Sequence, residues 1–339
     1  MSTAPDLPDV VLDVLGLHED TPRVIAARRS RADRIYRGAA KSAGLGTFVV
    51  MGMIGIFLAV QAWPALEVAG WSFFTEQKWQ ITANGQFGVA ALLFGTVMIA
   101  GIALVIAVPL SIGCALYLTD YAPKRVRRPL TSLIDLMAAV PSLIFGLWGL
   151  FFLQPQMLGL SRWLADHLSF IPLFDVSQPT DNPSTFAASP FIAGTVVALM
   201  VMPIATSVIR EVFAQAPPSE KEGALALGAT RITMIRAVVL PFGRGGMIGG
   251  IMLGLGRALG ETIAVALIIS PLFQIRSVII ETGGSSIAGN IAQKYGEASG
   301  LSLNALIASG LVLFVVTLAV NLVASSIVSR SRSGAGVEL

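Results

Sequence analysis

Two charged residues stand inside an apolar stretch, Arg257 and Glu261 in GRALGETIAV. A guanidinium is permanently charged and offers paired donors that match a tetrahedral oxyanion. An ionised carboxylate only accepts. Beside an arginine it could accept from a protonated phosphate oxygen, which fully ionised sulfate does not supply, or simply hold the arginine in place. On a continuous helix the i, i+4 spacing sets both on one face, where they offset each other. Each such charge costs about 2.5–3.5 kcal/mol in a membrane interior on insertion scales. Two readings stand: a buried structural ion pair, or a face on a substrate path. Other chemistry finds little support. The single Cys114 excludes an intrachain disulfide and a cysteine-rich metal site, and reads as a small packing residue. His18 and His167 have no partners at metal spacing. No lysine follows a glycine, so there is no G-K-[ST] phosphate loop and the chain is not itself an ATPase.

The second informative stretch is Ser219 to Pro241, SEKEGALALGATRITMIRAVVLP, a charge-bearing interruption between two very apolar regions. Ser219 and Glu222 have the S-x-x-E spacing of a capping box. The helix they open is expected over Glu220 to Leu227 and to stop at Gly228. A second short helix follows, with Ile232, Ile235 and Val239 on one face and Arg231 and Arg236 off it. Two small helices joined at a glycine suit a grip for a soluble partner; Glu222 as a simple helix cap is the plainer reading, and the two are compatible.

These residues need a scaffold, and composition says which. Of 339 residues 54% are hydrophobic and 13% charged, with mean hydropathy +0.76. Soluble domains carry about 25% charged residues, so this is an all-α integral membrane protein. A net charge of +3 is too small to argue for nucleic acid as a partner. Apolar runs place six spans near 44–66, 87–118, 131–153, 191–212, 247–270 and 303–328. The second run is too long for one upright helix, and Pro109 is the natural bend. Arg257 lies about ten residues, ~15 Å, into the fifth span, near its middle. Trp63, Trp71 and Trp79 suit an interface belt. Residues 154–189 read as an extramembrane loop with a short helix over Leu160 to Leu168.

Lysine and arginine crowd the N-terminal arm, the 120–128 loop, the 219–241 stretch and the tail, and are sparse in the alternate loops. Six spans with both termini cytoplasmic satisfy every loop. The chain then divides into an arm (1–43), a six-span body (44–329) carrying the 219–241 helices, and a tail (330–339). The arm lacks the apolar run of a signal peptide. Its Leu7, Val10, Val11, Val14 and Leu17, followed by a basic run, fit an interfacial helix on membrane lipid or a mobile tail. The glycine-dense fifth span (Gly246/Gly250, Gly250/Gly254, Gly256/Gly260) is built for close helix contact, with a sister subunit as one candidate neighbour. No internal repeat is visible, which weakens an inverted-repeat carrier. An ion-coupled carrier using Glu261 as a proton relay remains the alternative that needs no ATPase.

Glu222-Gly223-Ala224, Gly228, Val238 and Leu240-Pro241 resemble the EAA motif of ABC-importer permeases (E-A-A-x3-G-x9-I-x-L-P), with Gly223 for the first Ala and Val238 for Ile. GRALGETIAV and MAAVPSLIFGLWGL resemble phosphate ABC-transporter permeases, and VPLSIGCALYLTDY and WPALEVAGWSFFTEQKWQ resemble the PstC type. The resemblance covers about residues 45–330. It implies a type I importer permease (MetI-like) fold in a bacterial or archaeal plasma membrane and inorganic phosphate as cargo, with sulfate, molybdate or a phosphonate as alternatives. It implies a PstA-type sister permease, a PstB-type ATPase dimer and a PstS-type binding protein. ATP and magnesium would sit on the ATPase, with no cofactor on this chain. Contact with the ATPase is assigned by the resemblance to Glu222, Gly223, Ala224, Gly228, Arg231 and Pro241. The substrate path falls to Arg257 and Glu261.

Overall fold

The computed structural model describes residues 31–81 and 86–331. The expected interfacial helix around Leu7 to Leu17, His18 and the tail beyond 331 lie outside the described residues. The chain divides into two compact units, Met1–Met53 and Ile54–Leu339. In the first, the described residues are helical from Arg31 onward, and the basic Arg34, Arg37 and Lys41 occupy its opening turns.

The helices are α1 (Arg31–Ala69), α2 (Ala90–Leu116), α3 (Lys124–Ala139), α4 (Ser142–Trp148), α5 (Gln154–Leu168), α6 (Pro190–Ala214), α7 (Pro218–Ala226), α8 (Arg231–Met234), α9 (Leu240–Leu259), α10 (Ile263–Ile268), α11 (Ile287–Lys294) and α12 (Leu301–Ser331). Among the described residues the only strand-like pairing is two isolated bridges, Trp79 with Phe87 and Pro271 with Gly284. Six helical stretches are long and apolar enough to cross a membrane: Ala32–Ala69, Ala90–Tyr121, Ser142–Leu168, Ser184–Ala214, Arg231–Leu259 and Leu301–Val328. The all-helical, six-span expectation holds.

Two spans are displaced from where hydropathy put them. Val140 is extended (ψ 130°) and Pro141 lacks an amide, so the helix over Lys124–Ala139 ends there. The third span starts at Ser142 and runs through Gly149–Leu153, a π-helical turn, into α5. Residues 131–139 therefore belong to a separate helix, and Leu160–Leu168 ends a span rather than forming a loop helix. The fifth span begins at Arg231 and stops at Leu259. Pro109 does not interrupt α2; the irregularity falls at the π-helical Tyr117–Tyr121.

The second unit is centred on α6, the most enclosed span. Small residues let its neighbours approach: a Cβ on Gly194 would meet Ile102 Cβ of α2 at 2.7 Å. Gly246, Gly250 and Gly254 form a stripe facing Val212, Ile209 and Val201 of α6. Two of the three glycine pairs expected to meet a neighbour, Gly246/Gly250 and Gly250/Gly254, thus meet one within the chain, and Gly256/Gly260 does not. Gly249 and Gly256 have open space instead.

The base-poor loops converge at one end. Ile279 amide donates to Leu173 O, Thr282 amide to Thr185 O, Gly283 amide to Ala188 O and Ile275 amide to the Gln77 side chain. Arg276 there pairs with buried Glu281 at 3.1 Å, which Ser177 also supports. Trp79 is buried against Phe87 and Phe273 rather than exposed in a belt. Lys294 lies 4.6 Å from the Phe273 ring centroid, and burial lowers its ammonium below the ordinary lysine value.

The tightest backbone approach is Gly95 of α2, where an added Cβ would stand 1.9 Å from Ser285 O. Gly95→Ala is expected to destabilise the protein by about 1–3 kcal/mol through overpacking. Gly101→Ala, at an open position of the same helix, leaves stability unchanged or slightly raised. Thermal denaturation in detergent compares the two.

Candidate translocation and coupling sites

Arg257 sits in the last turn of α9, which ends at Leu259. Gly260 and Thr262 break the helix, and α10 resumes at Ile263. The i, i+4 argument needs an unbroken helix, and this one is interrupted between the two charges. Consequently no ion pair joins Arg257 to Glu261 among the described residues. Glu261 is 8% exposed, and its Oε1 accepts from the Ala264 amide at 3.3 Å, capping α10. Thr262 Oγ1 donates to Gly260 O at 3.0 Å. Each charge lies at the helix end whose dipole it complements, cation at a C-terminus and anion at an N-terminus. Arg257 is half-buried, and its Nε is buried without a hydrogen-bond partner among the described residues. Its charge is therefore not spent on a neighbouring acid.

α4 and the π-helical turn that follows it pack against the resumed helix. Gly146 lets Ala264 approach (an added Cβ would meet Ala264 Cα at 2.8 Å), and Gly149 admits Val196 and Ile268. Close by, Asn290 of α11 is 3% exposed with neither amide atom hydrogen-bonded. Sequence reading passed over Asn290, because an asparagine in a short polar-apolar segment gives no sign of its burial.

The 219–241 stretch takes a different form from the one expected. Pro218 is the first residue of α7, the preceding Pro217 is its N-cap, and no side chain caps the helix. The Ser219–Glu222 capping box does not form, since the helix starts two residues early, which puts Ser219 inside it. Gly228 does terminate the helix in the left-handed region (φ +86°), with its amide donating to Leu225 O. Thr230 then caps α8, its Oγ1 accepting from the Thr233 amide. The second helix is not separate: α8 continues through the π-helical Ile235–Val239 into α9, Pro241 lying in the first turn of α9. Met234, Ile235 and Val239 are buried, whereas Ile232 is 58% exposed.

One face of α7 is anchored and the other is free. Ala224 packs on the cluster of Phe213, Met234, Ile235 and Val239. Lys221 Nζ pairs with Asp120 Oδ1 at 3.0 Å, and Asp120 also accepts from Thr119 Oγ1 at 2.8 Å. Glu222, Gly223, Leu225, Leu227, Gly228 and Arg231 are exposed, with Leu227 at 91%. The Asp120–Lys221 pair spans 101 positions, so no local pattern pointed to it.

Residues 107–332 match the family described as binding-protein-dependent transport system inner membrane component. This chain belongs to that family. It is 40% identical over 307 residues to the phosphate transport system permease protein PstC 2 of Mycobacterium tuberculosis, covering 90% of this chain and 94% of that one. It is 39% identical to the phosphate transport system permease protein PstC of Haemophilus influenzae, covering 85% and 90%. The fold resembles a bacterial alginate ABC transporter crystallised with a pentasaccharide-bound periplasmic protein (TM-score 0.54, 17% identity, 90% of this chain and 99% of that one). The protein is a multi-pass membrane permease with the type I ABC importer fold.

The Asp120–Lys221 pair is mostly buried, between the regimes of exposed and fully buried pairs. A double-mutant cycle of Asp120→Asn and Lys221→Met on thermal stability is expected to give a coupling energy of about 1–3 kcal/mol. A value near zero means the pair does not hold α7.

Proposed function

We propose that this chain is the PstC-type permease subunit of an ATP-driven inorganic phosphate importer, forming half of the translocation path. The observation that carries the reading is the interrupted helix at Gly260, which leaves the Arg257 guanidinium without an acidic partner while Glu261 is occupied in capping α10. Irregular backbone at membrane depth belongs where it lines a path or is buried in protein, and an unpaired arginine there suits an oxyanion. The similarity to phosphate permeases over most of the chain supports phosphate as that oxyanion. Glu261 then positions the break and, secondarily, is near enough in sequence to accept from a protonated phosphate oxygen.

The exposed face of α7 is the ATPase contact. Glu222, Gly223 and Gly228 would engage the partner with Arg231, while Ala224 and the Asp120–Lys221 pair fasten α7 to the bundle and Pro241 lies in the first turn of α9. The partners are a PstA-type sister permease, a PstB-type ATPase dimer carrying ATP and magnesium, and a PstS-type binding protein. Base distribution supports a cytoplasmic location for α7 and both termini, in a bacterial or archaeal plasma membrane.

The test is ATP-dependent uptake of labelled phosphate into vesicles bearing the complete complex, with and without excess sulfate. Uptake that sulfate leaves intact is the expected result; suppression by sulfate would replace phosphate with a general oxyanion. At Gly228 the left-handed backbone rules out proline, so Gly228→Pro is expected to abolish co-purification of the ATPase. Retained association would overturn the assignment of α7.

A further inference from the structure

Beside the anchored face of α7 lies a cavity of about 290 Å³ lined by Leu118, Thr119, Arg127, Thr131, Arg210, Ala214 and Lys221. Arg127, Thr131 and Asp135 recur every four residues along α3, opposite Ser207, Arg210 and Ala214 of α6. At one end the stripes are tied together, Ser207 Oγ donating to Asp135 Oδ1 at 3.0 Å. Lys221 of α7 completes the lining beside Arg127 and Arg210.

Three cations from three helices meet there, and the acids do not balance them. Lys221 is matched by Asp120. Arg127 Nη2 donates to Thr119 O at 2.6 Å, which fixes its guanidinium but leaves its charge unpaired. Arg210 is half-buried and makes no hydrogen bond or ion pair among the described residues. Glu211, its neighbour in sequence, is exposed and in no ion pair there. Arg127 is exposed, so water screens part of its repulsion with the half-buried Arg210, and a bound anion would offset the rest. Arginine forks match phosphate oxygens with paired, charge-assisted bonds, and Thr131 adds a hydroxyl.

We propose that this cavity is a phosphate-group site, distinct from the path at Arg257, that ties the coupling helix to α3 and α6. Its volume, at the small end of ligand pockets, admits a phosphate bearing a modest substituent as well as the free ion. Two sources share that chemistry. One is the headgroup of an anionic phospholipid, whose acyl chains would run along the exposed Leu133 and Leu136 of α3. The other is inorganic phosphate. A bound group would bridge α3, α6 and α7, which now meet through the Ser207–Asp135 hydrogen bond, apolar contacts and the Lys221–Asp120 pair at the neighbouring π-helical turn, and so stiffen the joint through which α7 moves the bundle. The site does not depend on what the permease carries.

The permease–ATPase complex without its binding protein, in phosphatidylcholine nanodiscs, tests this with two probes, labelled inorganic phosphate and dioctanoyl phosphatidylglycerol, read by equilibrium binding. Wild type is expected to bind at least one probe, with Arg210→Gln weakening it roughly tenfold to a hundredfold and Arg257→Gln leaving that component unchanged. Loss confined to phosphatidylglycerol identifies a lipid headgroup, and loss of inorganic phosphate identifies the free ion. Thr131→Glu, on a different helix, places a carboxylate in the cavity and is expected to give the same loss, which keeps the test decisive if Arg210→Gln fails to assemble. Equal binding by wild type and the assembled cavity variants, no binding of either probe to wild type, or a component lost only in Arg257→Gln would each overturn the proposal.

Discussion

In an apolar surrounding no water is at hand, so each backbone amide and carbonyl released by an irregular segment needs a partner from the protein itself. The places where this chain leaves regular helix are accordingly places where polar side chains bind backbone. Glu261 takes the Ala264 amide where α10 restarts, and Thr262 gives its hydroxyl to Gly260 O. Thr96, buried in α2, accepts from the Ile287 amide at 2.9 Å, and Ser286 accepts from the Gly289 amide, so the start of α11 is satisfied twice. Ser111 donates to Met202 O next to Pro203, linking α2 with α6. The broken fifth span is thereby a defined structure, and its two charges are set by the break rather than by each other.

A mechanical route follows from the same connectivity. α8, the π-helical turn and α9 form one continuous rod from the exposed coupling turn to Arg257. The glycine stripe of that rod lies directly on α6, with Val212 and Val201 filling the grooves, so a shift of α7 is carried along α9 and against α6 together. The α7 end is held by Ala224 on an apolar cluster and by Lys221 on Asp120. Under the proposed coupling role, force applied at Glu222 would pass through these contacts.

Much of this was legible in the residues. Hydropathy over ~20-residue windows finds six spans because the bilayer demands apolar length. The glycine at 228 announced a helix end because few other residues accept positive φ. What was not legible depended on contacts between distant segments or on where a helix stops. GRALGET reads as continuous helix because Ala, Leu and Glu favour it and a lone glycine is tolerated; the stop at Gly260 reflects the fit of α10 against Gly146 of α4 and Gly149 of the π-helical turn after it. Pro141 carried a visible signal for the α3–α4 break, outweighed by the run of apolar residues on either side. Asp120 and Lys221 are 101 positions apart, and Trp79 is buried by Phe273 from another loop.

The central claim is that the unpaired guanidinium at the broken helix meets the transported anion. It is tested most directly by measuring phosphate uptake and ATP hydrolysis together in Arg257→Gln and Arg257→Lys complexes of verified assembly. The account predicts that Arg257→Gln loses uptake by at least roughly tenfold, the scale of a lost charge-assisted contact, while the ATPase stays bound and active, and that Arg257→Lys recovers part of the uptake. Uptake by Arg257→Gln equal to that of the unaltered complex would contradict it.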